Sequence, residues 1–207
     1  MKKVLWINSL LLLMLTSCTL KNYHQFKRCD TLNQQVLDVD AQEFGETNVF
    51  EISMDIYKHH FSGLLVIKKK EDQVYRLAMI SHIGLSIFDM EVNKGHAKIN
   101  HIIPALDKKM IVKLFESDFT YLFSPFSEGV VKSIYSTNKD DVLLYKIKEG
   151  KELNYYFIRA GKIAQIDNCN SLFKLKSCSL KYIDNTLQNV NIQHFGLKIK
   201  IELKRRS

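Results

Sequence analysis

From Val49 onward the chain alternates hydrophobic and polar positions. Phe50, Ile52, Met54 and Ile56 interleave with Glu51, Ser53, Asp55 and Tyr57, the period of a half-buried strand. Strands are predicted next at Phe61–Lys69, Val74–Ser81, Gly84–Val92 and His96–Ile103, with Lys70-Glu71-Asp72-Gln73 and Asn93-Lys94-Gly95 as turns and a short corner before Gly84. Leu106–Phe123 switches to helical spacing. Met110, Ile111, Leu114, Phe115, Phe119 and Leu122 share its apolar face, and Lys108, Lys109, Lys113, Glu116 and Asp118 the polar one. Asp107 is the predicted cap and Ser124-Pro125 the stop. Six more strands are predicted at Val130–Ser136, Asp141–Lys148, Leu153–Arg159, Gly161–Asn168, Ser171–Tyr182 and Val190–Lys204. Turns at roughly 8–12-residue intervals suit a meandering antiparallel sheet. About eleven strands and one helix fit a two-sheet sandwich poorly, so the expected fold is mainly β (β-rich α+β): a curved antiparallel sheet or incomplete β-barrel enclosing one amphipathic helix.

The N-terminus reads differently. Lys2 and Lys3 are followed by an apolar stretch from Val4 to Leu15 and then by Thr16-Ser17-Cys18. This is the layout of a secretory signal, too short for a comfortable membrane span. Leu15-Thr16-Ser17-Cys18 resembles the bacterial lipobox, which implies cleavage after residue 17 and acylation of Cys18. The expected organisation is a lipoprotein signal peptide at 1–17, a lipidated cysteine, tether and short helix at 18–44, and a single domain at 45–207. Cleavage removes two lysines and no acid, so the formal net charge falls from +8 to +6. More than one acyl chain gives stable anchoring, at about 0.8 kcal/mol per buried methylene. No aspartate follows Cys18, which by resemblance to enterobacterial sorting implies the outer membrane, facing the periplasm.

The 207 residues, 46% hydrophobic and 25% charged, are ordinary globular composition, and 8 Gly and 2 Pro exclude collagen-like and linker-like chains. A strand ending near Phe61-Ser62-Gly63, then Val74-Tyr75-Arg76-Leu77 running into Ile83-Gly84-Leu85-Ser86-Ile87-Phe88, an amphipathic helix, and strands closing on Asn191-Ile192-Gln193-His194-Phe195-Gly196-Leu197-Lys198-Ile199 together resemble the LolA/LolB superfamily of periplasmic lipoprotein carriers and outer-membrane lipoprotein receptors. The resemblance covers most of residues 45–204 and implies an incomplete barrel whose apolar cavity holds acyl chains. The receptor branch carries an exposed apolar loop, whereas the matching link here reads Lys68-Lys69-Lys70-Glu71-Asp72-Gln73, short and charged.

No HExxH, GxSxG or Gly-rich phosphate loop is present, so no catalytic residue is assigned; Asp140-Asp141 beside Asn138 reads as turn chemistry. Histidines 24, 59, 60, 82, 96, 101 and 194 have no metal spacing and read as surface residues, so neither metal nor cofactor is expected. Cys29, Cys169 and Cys178 include no C-x-x-C, and the turn signal at Asn168 to Ser171 argues against opposed pairing of Cys169 with Cys178. Lysines 68–70 and Lys198, Lys200, Lys204, Arg205 and Arg206 are basic clusters without interleaved aromatics, so nucleic acid is not an expected partner.

The leading expectation is a monomeric, membrane-anchored envelope lipoprotein that binds lipid or the acyl chains of lipoproteins, in lipoprotein transport to the outer membrane. The alternative is a non-catalytic structural or adaptor lipoprotein binding another envelope protein; an enzyme without visible motifs ranks last. The candidate cavity-lining residues are Phe50, Ile52, Met54, Ile56, Leu65, Ile67, Leu77, Met79, Phe88 and Met90 on the strands, with Leu114 and Phe115 on the helix. A strongly curved sheet encloses more volume than one helix fills, and flexible Met and flat Phe side chains can close over a gap. A dry core would show the same periodicity.

Overall fold

The structure, a computed structural model, describes residues 26–29, 44–71, 74–124, 130–137, 142–150, 152–170 and 173–206. Ahead of the helix come β1 (Lys27–Arg28), β2 (Thr47–Ile56), β3 (His59–Glu71), β4 (Val74–Ser81), β5 (Ser86–Asn93) and β6 (His96–Ile102). The helix is α1 (Lys109–Phe123). After it come β7 (Val130–Ser136), β8 (Val142–Glu149), β9 (Glu152–Arg159), β10 (Lys162–Cys169), β11 (Lys174–Ile183), β12 (Thr186–His194) and β13 (Ile199–Arg205). All thirteen belong to one sheet in the order β1-β7-β8-β9-β10-β11-β12-β13-β2-β3-β4-β5-β6, antiparallel throughout. The sheet does not close, because β1 and β6 stand at its two ends. It is a mainly β, incomplete barrel with one described helix, as the sequence patterning predicts.

Two meanders joined by β13 make this sheet. Ile199 lies opposite Ile56 and Arg205 opposite Phe50, so the last strand inserts beside the first long one. Register shifts at Met79/Ile80, Asp89/Met90, Val131/Ser133 and Ile163/Gln165 each add local twist and bend the sheet around α1. At Gly63 a Cβ would lie 2.1 Å from the Ile80 carbonyl oxygen, so only glycine permits β4 to cross so close to β3.

Several boundaries differ from expectation. The predicted strand Val190–Lys204 is two strands, broken where Gly196 adopts φ +80 between β12 and β13. β12 also begins earlier, at Thr186, after a turn in which Asp184 and Asn185 both take positive φ. The two-residue β1 pairs with β7, Lys27 opposite Ser136, inside the segment read as tether; residues 18–25 and 30–43 of that segment lie outside the described residues. α1 begins at Lys109 rather than Leu106, and Lys108, not Asp107, occupies its cap position without a side-chain hydrogen bond. Asp107 falls in a turn instead, where the Leu106 and Asp107 amides both donate to the Ile103 carbonyl.

α1 lies across the concave face. The Phe88 ring of β5 is 5.6 Å from Phe115 and 5.8 Å from Phe119, and Phe123 continues the ladder to Tyr75 at 5.0 Å and Phe44 at 4.5 Å. Two helix positions depart from the predicted faces. Met110, placed on the apolar face, is 45% exposed, one turn short of the sheet's interior. Asp118, placed on the polar face, is 1% exposed, because it lies three residues after Phe115 and four before Leu122, on the stripe that packs inward.

Candidate functional site

The structure brings ten of the twelve predicted lining residues together on the concave faces of β2 to β5, with Phe115 of α1 against them. Phe50, Met54, Leu65, Ile67, Leu77, Met79, Phe88 and Met90 have 0% exposure, and Ile52, Ile56 and Phe115 no more than 3%. No water-sized space touches the first eight, so they form a filled layer with α1 seated on it. Leu114 differs: it is half-buried, packed against the same cluster on one side and open on the other. Cys18 lies outside the described residues, as do Asp140 and Asp141.

The far wall of the sheet, β8 to β12, meets the helix with polar groups that the sequence reading missed. Asp118 pairs with Lys176 Nζ of β11 at 2.9 Å and with His194 Nε2 of β12 at 2.8 Å, and all three side chains are buried. Lys176 Nζ also donates to Ser117 Oγ at 3.1 Å and sits 4.0 Å from the centre of the Tyr121 ring. Burial alone would raise the Asp118 pKa; the Lys176 ammonium and the His194 hydrogen bond outweigh it and hold the carboxyl below its ordinary value. His194 is thus a buried hydrogen-bond partner of Asp118 rather than a surface residue, whereas His59, His60, His82, His96 and His101 are exposed. The signal was present: Lys176 shares its face with Cys178 and Leu180, and His194 with Val190 and Ile192.

A second layer of amides supports this cluster. Asn154 Nδ2 donates to the Tyr121 hydroxyl at 3.2 Å and to Glu149 at 2.7 Å, while Asn168 Nδ2 donates to Glu152 and to Asn154 Oδ1, both at 2.7 Å. Burial pushes the Tyr121 hydroxyl pKa up, so it stays protonated. Among the described residues no disulfide joins Cys29, Cys169 and Cys178; Cys178 faces Ile166 across the β10–β11 ladder, and burial pushes its pKa up to about 12. Among the described residues no three His, Cys, Asp or Glu side chains are arranged to hold a metal ion.

Beside the ion cluster a pocket of about 330 Å³ opens between Leu114 and Ser117 of α1 and the strand ends carrying Leu175, Lys176, His194 and Leu197. Among the predicted lining residues it touches Leu114. A smaller pocket, about 230 Å³, lies on the helix's other flank near His96, Tyr121 and Glu149, and a larger groove of about 630 Å³ runs along β2, β12 and β13 past Glu51, Ile52, Ser53, Asn191 and Lys204. The predicted strand Gly84–Val92 starts later, at Ser86, and the corner between β4 and β5 carries exposed Ile83 and Leu85 around Gly84 at φ +85. The charged link Lys68–Glu71 belongs to the long strand β3.

No protein-family profile and no curated protein sequence matches the chain. Among solved structures it is similar to a LolA superfamily protein from Nitrosomonas europaea, with TM-score 0.55 and 7% identity over 82% of this chain and 89% of that one. It also aligns with a DUF1329 family protein from Desulfovibrio piger, TM-score 0.47 and 9% identity over 82% and 87% of the two chains. A third alignment is with an outer membrane lipoprotein-sorting protein domain from Vibrio parahaemolyticus, TM-score 0.43 and 9% identity over 81% and 86%. The first of these establishes the shared fold.

Proposed function

We propose that this chain is a membrane-anchored, non-catalytic envelope lipoprotein that binds lipid or the acyl chains of lipoproteins between α1 and the concave sheet, in lipoprotein transport to the outer membrane. The observation that carries the reading is the way the helix sits: it covers an unclosed sheet, buries an entirely apolar layer on one side, and leaves Leu114 on an open pocket of about 330 Å³ on the other. Pockets for small ligands run from about 300 Å³ upward and are mostly apolar with a few placed polar groups. Tilting α1 away from Phe88 would extend this pocket onto the Phe50–Met90 layer. The filled state of that layer favours a second reading, an adaptor that binds another envelope protein through its surface.

Purified full chain titrated with a fluorescent fatty acid is expected to bind saturably and to carry co-purified lipid detectable by mass spectrometry. Leu114→Asp, at a half-exposed position, is expected to weaken that binding by roughly tenfold or more while leaving the fold intact, since a carboxylate beside an acyl chain is poorly solvated. Absence of both lipid and saturable binding would overturn the carrier reading in favour of the adaptor. The anchor has its own check: cells fed a clickable fatty acid should label the wild-type chain and not Cys18→Ala, and equal labelling would sink the anchor at Cys18.

A further inference from the structure

In an antiparallel meander alternate turns lie on the same rim, so the β2–β3, β4–β5, β8–β9, β10–β11 and β12–β13 links share one rim of the incomplete barrel. The start of α1 joins them, with the Tyr57 hydroxyl 3.9 Å from Met110 Sδ. Nine large apolar side chains are exposed among the described residues, and their distribution between the two rims is lopsided. Tyr57, Ile83, Leu85, Met110, Phe173 and Phe195 stand on this rim, and Ile80 and Val130 end or begin strands that reach it. Ile183 alone stands at the opposite rim. Scattered single apolar residues need no explanation, but turn after turn capped by one is an interaction surface.

We propose that this rim docks face-on against an anionic lipid bilayer. Charge and apolarity point to that occupant together. Lys58, Lys108, Lys109 and Lys198 are exposed between the apolar tips, with Asp107 and Glu152 among the exposed acids on the same rim. A lysine near an anionic surface raises partitioning about fivefold. The opposite rim is also basic, with Lys68, Lys69, Lys204 and Arg206, so charge attracts either end and does not choose between them. The apolar tips choose, because each large side chain removed from water adds roughly tenfold or more. Tyr and Phe suit the headgroup level, where one part of the ring is wet. Docked this way, the pocket beside Phe195 and Leu197 opens toward the bilayer. The docking rests on the rim's composition and not on acyl binding, so either can fail alone.

The test uses the full chain with Trp6→Phe, which removes its single tryptophan, and one reporter at a time: Ile83→Trp or Phe173→Trp on this rim, Ile183→Trp on the other. All three positions are exposed, so the reporters disturb no packing. With phosphatidylcholine–phosphatidylglycerol vesicles, the first two should shift their emission to the blue and be quenched by brominated lipid, and Ile183→Trp should do neither. Vesicles of phosphatidylcholine alone, high salt, or combined Lys58→Glu, Lys108→Glu, Lys109→Glu and Lys198→Glu should each suppress the response. Reporters that respond alike on both rims, or an Ile83→Trp emission indifferent to anionic vesicles, overturn the proposal. The second outcome would hand the rim to an acidic protein surface.

Discussion

Replacing Asp118 by leucine is expected to destabilise the protein by about 3–5 kcal/mol, because it leaves the Lys176 ammonium buried without its counter-charge. The ion pair is held at 2.9 Å and the histidine contact at 2.8 Å, with none of the three side chains open to solvent. Replacing the whole cluster, Asp118→Leu with Lys176→Met and His194→Leu, is expected to recover most of that loss, since apolar residues of similar volume often substitute for a buried ion network without cost. Urea midpoints at neutral pH measure both. An Asp118→Leu midpoint equal to wild type would mean that the cluster does not tie α1 to β11 and β12. The same carboxylate sets an acid limit. Its pKa in the folded chain lies below the ordinary 3.8, so its contribution is present above that pH and is lost as pH falls through the depressed folded value. Wild type should therefore lose stability on acidification below pH 3.8 more steeply than the triple variant does.

Which parts of this molecule can be read from the chain follows from the range of the forces involved. The alternation Phe50, Ile52, Met54, Ile56 reports the pleat of a single strand, and the buried side chains of β2 fall on those positions. The inward stripe of α1 is equally local, yet the identity of Asp118 as a charge outweighed its spacing. Its partners lie 58 and 76 residues away in sequence, and no local pattern announces them. The break at Gly196 was hidden because Leu197, Ile199, Ile201 and Leu203 keep the same alternation through the turn. The pairing of β13 with β2 joins the two ends of the domain and depends on sheet curvature rather than on any residue in either strand. The apolar corner at Ile83 and Leu85 is legible only once the turns are known to share a rim. The pocket beside Leu114 needed the helix to be placed before it could exist at all.

Phe119→Ala is expected to cost about 3–5 kcal/mol, the range for emptying a buried phenylalanine site. Phe119 has 0% exposure and its ring lies 5.8 Å from Phe88, 6.4 Å from Phe115 and 6.4 Å from Phe123. Each such aromatic pair adds about 0.5–1.5 kcal/mol beyond the area it buries. Leu114→Ala, on the pocket side of the same helix, should cost far less, below about 1.5 kcal/mol, because part of that side chain already faces open space and its loss leaves no closed cavity. The contrast separates two roles for one helix. If both substitutions behave as expected, one stripe of α1 is core that holds the sheet's curvature, and ligand access lies along the Leu114 flank. A Phe119→Ala loss below about 1 kcal/mol, within the range of surface changes, would mean instead that the aromatic ladder opens at little cost. The helix would then be a lid over the whole Phe50–Met90 layer, and the resting structure its closed state.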